Sequence, residues 1–195
     1  MPNATPDPNP QLVAAGAVRF DLSQGTVSGA GGERMLLVPT RALDEAFRVG
    51  GAAAGTAVAT LIGQVCGERA AAVLGNRSAV AAATIESVAT ALGAELSLAG
   101  LGVLDIERWG KALVLAVHHP VTENALLVAA MCEGAMHAAT GRDLSCVALG
   151  SEEGVARILV ASKSTADRAK ALVEKGESWR SIVMQVQAPR TGGAS

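Results

Sequence analysis

Large aromatic side chains are almost missing from this sequence: two phenylalanines, two tryptophans and no tyrosine stand among its 195 residues. A core without aromatic bulk is filled by small and medium side chains and packs by close approach of backbones. Charge of one sign is missing too, with 16 basic against 18 acidic residues. No basic stripe interleaved with aromatics occurs, so recognition of nucleic acid or of an anionic bilayer through charge is excluded. Cysteine is scarce and odd in number. Cys66, Cys132 and Cys146 lie far apart in apolar surroundings, which argues against a disulfide framework and for a reducing, cytoplasmic compartment. The first ten residues, rich in Asn and Pro, lack the basic start and apolar run of a secretion signal.

Residues 49–67 carry no charge, over nearly the length that spans a bilayer. Composition speaks against a span, because Gly, Ala and Thr outnumber the large aliphatics Val49, Val58, Leu61, Ile62 and Val65.

Punctuation along the chain implies an α+β protein in which an antiparallel sheet of hairpins carries helices packed on it. Residues 17–22 and 34–38 read as strands around a Gly/Ser-rich loop. Pro39 stops the second, Thr40 can cap a helix, and that helix bends at Gly50 and Gly51 before resuming to about Leu74. A second helix follows Ser78 through Ala81, Ile85, Val88 and Leu92 to Gly93. Residues 96–108 and 112–118 alternate like strands about the turn at Trp109, Gly110 and Lys111, with a kink expected at Gly100 and Gly102. Thr122 and Gly141 bracket the best-punctuated helix. Residues 144–149 and 155–161 form a second hairpin. Ser164 with Asp167 resembles a capping box for a polar helix ending at Gly176, and residues 181–186 read as a last strand. The division that follows is a disordered tail over 1–17, one domain over 18–161, a helix-and-strand extension over 162–188, and a disordered tail over 189–195.

Chemistry-bearing motifs are absent. No glycine loop stands between a strand and a helix, as a phosphate cradle requires. No nucleophile, base and orienting acid stand in fixed relation. His118, His119, Cys132, Glu133 and His137 are the only potential metal ligands near one another, and they lack the paired short spacing of a zinc site. No catalytic residue, metal or cofactor is expected.

A sharper feature is the recurrence of Gly51, Gly55, Ala59, Gly63 and Gly67 every four residues. Glycine in a helix interior costs about 1 kcal/mol relative to alanine, so a line of small residues implies that another backbone presses there. A helix of a second subunit in a homodimer fits this need, and so does packing inside the chain's own fold. Trp179, on a polar segment, is read as an anchor that either inserts into a partner protein or packs on its own sheet.

Arg34, Met35, Leu36, Leu37, Val38 and Pro39 leading into a helix, then Gly55, Leu61, Ile62, Gly63 and Gly67, begin a pattern. Gly100 and Gly102, then Cys132, Glu133, Gly134 and Gly141, then a closing hairpin continue it. Over roughly residues 20–161 this order resembles the 4-vinyl reductase domain family, a ligand-binding fold also seen in TRAPP vesicle-trafficking subunits. The resemblance implies a sheet with helices packed on it, an apolar cavity in some members and helix-mediated dimers in others. Many relatives carry cysteines in the closing hairpin, where this chain has only Cys146.

Two functions follow as expectations. One is a non-enzymatic homodimeric scaffold that recruits a partner. The alternative is a sensor or carrier holding a small hydrophobic ligand in a cavity lined by Leu61, Ile62, Met131 and Met136.

Overall fold

The computed structural model describes residues 18–29, 32–75 and 77–187; both expected tails therefore lie outside the described residues. The chain divides into two compact units, Met1–Leu43 and Asp44–Ser195. In the first, β1 (Val18–Asp21), β2 (Thr26–Gly29) and β3 (Arg34–Met35) form an antiparallel sheet in that order. Asp21 builds the first turn, its carboxylate accepting from the Ser23 amide at 3.0 Å and the Gln24 amide at 3.1 Å. These contacts hold its pKa below the usual carboxylate range, the Ser23 hydroxyl first among them. The third strand is shorter than the sequence implies, since Leu36, Leu37 and Val38 are exposed and unpaired by any neighbouring strand among the described residues.

α1 (Thr40–Leu74) runs from the first unit into the second. It bends at Gly51, whose φ of 75° and ψ of 174° are not helical; a residue with a Cβ avoids that conformation. The helix expected after Ser78 is two helices, α2 (Arg77–Ala82) and α3 (Ile85–Leu98). Thr84 is the cap of α3, its hydroxyl accepting from the Ser87 amide at 3.2 Å, and Gly93 lies inside α3 instead of ending it. Gly100 and Gly102, at φ 71° and 125°, turn the chain from α3 into β4 and do not interrupt a strand.

The second unit is built on a four-stranded antiparallel sheet of order β4-β5-β7-β6. β4 (Val103–Trp109) and β5 (Ala112–His118) are one hairpin, β6 (Ser145–Glu152) and β7 (Val155–Ala161) the other. The join is β5 to β7, with Val114 opposite Leu159 and Leu115 opposite Ile158. β5 and β7 are buried over most of their length, as central strands covered on both faces must be. α4 (Ala125–Thr140) and α3 pack on β6, β7 and β4. Asn124, not Thr122, caps α4 by accepting from the Leu126 amide at 3.1 Å, and Gly141 ends it in the left-handed conformation at φ 66°.

On the other side, Val114, Val147, Leu149 and Leu159 meet Ala166 and Ala169 of α5 (Lys163–Glu174) and Ile182, Val183 and Val186 of α6 (Trp179–Gln187). α6 corrects the strand expected over 181–186: Trp179, Ile182, Val183 and Val186 are buried at helical spacing. Ser162 occupies the cap position of α5 without a side-chain cap bond, so the capping box expected at Ser164 and Asp167 is not used.

Candidate functional site

The glycine line is where sequence and structure part most sharply. Gly55, Ala59, Gly63 and Gly67 are all buried, and α4 of the same chain lies against the three glycines. A Cβ on Gly63 would overlap the Met131 carbonyl oxygen and stand 2.8 Å from its carbonyl carbon. One on Gly67 would overlap the Ala135 oxygen and meet the Ala138 Cβ at 2.9 Å. The contact is reciprocal, because a Cβ on Gly134 would overlap the Thr60 oxygen of α1. The dimer interface expected at Gly51, Gly55, Ala59, Gly63 and Gly67 is thus corrected: an intramolecular helix contact occupies Gly55, Gly63 and Gly67, Ala59 is buried on the same line, and Gly51 is the exposed bend. Dispersion between the two backbones replaces the missing side chains.

The proposed ligand-lining set does not converge either. Leu61 is 59% exposed, whereas Met131 and Met136 are 3% and 1% exposed within the packed core, and Ile62 is half-buried. None of the four lines a cavity recorded among the described residues. Small side chains let sheet and helices close on one another, leaving no room at that level.

Space opens instead at the helix ends. A cleft of ≈ 690 Å³ lies between the C-terminal turn of α1, α2 and the C-terminal turn of α4. Glu68, Ala71 and Ala72 line it from α1, Gly75 from just after that helix, His137, Ala138 and Thr140 from α4, and Val80 from α2. The His137 ring nitrogen Nδ1 lies 3.2 Å from the Arg142 carbonyl oxygen, which orients the ring. A smaller groove of ≈ 340 Å³ lies at the α1 bend, between Phe47, Gly51 and Gly55 and the Thr122–Leu127 approach to α4.

Trp179 is 6% exposed and packs on the chain's own sheet, the second of its two expected placements, so the partner-anchor placement is corrected. Its ring meets Trp109 edge to face at 5.2 Å and lies 4.6 Å from the guanidinium carbons of both Arg157 and Arg180. Its indole N–H donates to Glu152 at 3.2 Å, and Arg157 pairs with Glu107 at 3.3 Å.

Of the metal-ligand candidates, His118, Glu133 and His137 have separate partners. His118 lies 3.3 Å from Asp105, and the Glu133 carboxylate accepts from the Cys146 amide at 2.8 Å. No three such ligands converge among the described residues. All three thiols are buried and free. Burial pushes Cys66 up to about 11 and Cys132 up to about 12, and raises Cys146 well above the usual thiol range. At mildly alkaline pH roughly one Cys66 in a thousand is thiolate, the reactive form. Labelling of the folded protein with a maleimide is expected to proceed no faster than its unfolding; a thiol labelled within seconds would contradict the burial.

α1 is long and apolar enough to cross a bilayer by length and composition, with 22% of its most apolar window buried.

No protein-family profile and no curated protein sequence matches the chain. Among solved structures, the phenol-responsive sensory domain of the transcription activator PoxR with phenol has a similar fold, at a TM-score of 0.56 and 14% identity. The match covers 84% of this chain and 93% of that one. The α+β architecture is therefore one that a small-molecule sensory domain also uses.

Proposed function

We propose that this chain is a non-enzymatic sensor or carrier domain that holds a small, largely apolar molecule in the cleft between the C-terminal ends of α1 and α4. The cleft carries this reading: ≈ 690 Å³ falls within the ordinary size of small-ligand sites, and its walls are alanines with a few polar groups. The likeness to a sensory domain solved with phenol supports it. Membership of the 4-vinyl reductase domain family belongs to the same proposal, resting on the glycine and apolar pattern that ends at Gly134 and Gly141. A cytoplasmic location fits three buried, unpaired thiols.

The test is calorimetric titration of the full chain with phenol and other small aromatics, for wild type and Ala72→Trp. Ala72 is exposed on the cleft wall, so an indole there fills the space without disturbing the core. Affinity is expected to fall at least about tenfold with an unchanged circular dichroism spectrum. Unaltered binding in the variant would remove the cleft from consideration.

One observation favours the second reading, a homodimeric scaffold. Val58, Leu61 and Val65 recur along α1 and are 43%, 59% and 41% exposed, on a segment without charge that would ordinarily carry polar residues toward water. Light scattering of wild type and Leu61→Glu checks it. A dimer that becomes a folded monomer supports pairing through this stripe, and a monomeric wild type ends the reading.

A further inference from the structure

We infer that the cleft selects small organic ammonium ions with an apolar body and discriminates against anions of the same shape; this rests on the ligand-binding reading above. Every polar side chain among the described residues that line the cleft presents an acceptor. Its two main walls are the C-terminal turns of α1 and α4; the Ala71 and His137 carbonyls accept from the Gly75 and Gly141 amides at 3.0 and 2.8 Å, and the carbonyls after them in a last helical turn lack intrahelical donors. Each such end carries the equivalent of roughly half a negative charge. Two of them face one space.

The side chains add to this polarity. Glu68 brings a carboxylate to the wall, and no cation is recorded pairing with it among the described residues. The Thr140 hydroxyl donates to the Met136 carbonyl at 2.6 Å and accepts from the Arg142 amide at 3.2 Å, so its proton is engaged. The Arg142 carbonyl beside His137 Nδ1 can only accept, which places the ring proton on Nδ1 and leaves Nε2 of the neutral ring as an acceptor. No lysine or arginine is among the described residues that line the cleft; Arg69 and Arg142 adjoin Glu68 and Gly141 in sequence but not in the lining. An anion entering here would meet carbonyl oxygens and a carboxylate, and no side chain among the described lining residues offers it a donor, whereas an ammonium would satisfy three kinds of acceptor at once.

The test uses three probes with one body: benzylammonium, benzyl alcohol and benzoate, titrated calorimetrically into the full chain at neutral pH and low ionic strength. Benzylammonium is expected to bind about tenfold more tightly than benzyl alcohol, the gain of a charge a few ångströms from a carboxylate in a half-open site, and benzoate most weakly. Glu68→Gln should shrink the ammonium's advantage and leave benzyl alcohol unchanged, and about 0.5 M sodium chloride should do the same by screening. Equal or tighter binding of benzoate overturns the inference while leaving the binding reading intact, as does an ammonium preference that survives both Glu68→Gln and salt. Absence of binding by all three probes overturns the binding reading and this inference with it.

Discussion

Gly63→Ala is expected to destabilise the second unit by about 3 kcal/mol, while Gly55→Ala changes it by no more than about 1 kcal/mol in either direction. Both substitutions add one methyl group to the same helix. At Gly55 that methyl meets the Leu127 side chain at 3.4 Å, an ordinary contact, and the better helix propensity of alanine compensates any crowding. At Gly63 it would overlap the Met131 carbonyl, with the Ala135 amide nitrogen 3.0 Å away, so α1 and α4 must separate and lose contact along the crossing. In a chain of this size the Gly63 change corresponds to a fall in melting temperature of roughly 6 to 12 °C, read by thermal denaturation. The loss should not depend on protein concentration, because both helices belong to one chain. Equal effects at the two positions would mean that the crossing is looser than described.

Trp179→Ala is expected to cost about 3 to 5 kcal/mol, the range for removing a large buried aromatic. The ring anchors the start of α6, and its loss removes the edge contact with Trp109 and leaves the Arg157 and Arg180 guanidinium groups without their aromatic face. Glu152 loses its indole donor as well. Trp109→Ala should cost less, since Trp109 is 39% exposed. Urea denaturation ranks the two, and limited proteolysis should show earlier cleavage near α6 in the Trp179 variant. A Trp179 variant as stable as wild type would return that residue to the role of a surface anchor.

The hairpins were legible because strand alternation and turn residues are local: Gly110 with Lys111 and Glu153 with Gly154 sit at the expected turns. The bend at Gly51 and the left-handed end at Gly141 were legible for the same reason. The partner of the glycine line was not, since a small-residue face states that something approaches closely and not what approaches. A second signal existed: Ala130, Gly134 and Ala138 repeat the same spacing on the helix that proves to be the partner. α6 was misread because Ile182, Val183 and Val186 suit either period, and Trp179 decides it only once its burial is known. A cavity at Met131 and Met136 was expected from an apolar, aromatic-poor interior and the family resemblance, yet both are buried in the packed core. The cleft itself could not be foreseen. It arises where α1 and α4 end, and no local pattern records which two helix ends will meet.

The sheet order carries a consequence for how quickly this chain finds its fold. Each hairpin closes over a short turn and can form on the microsecond scale by itself. Joining β5 to β7 is different, because Val114 pairs with Leu159 across the whole of α4 and the second hairpin's outer strand. That closure carries the loop entropy of the intervening chain before any ladder bond compensates it. Refolding should therefore wait on the central seam, and Val114→Ala or Leu159→Ala should slow it, whereas substitutions in the outer strand β4 should chiefly speed unfolding.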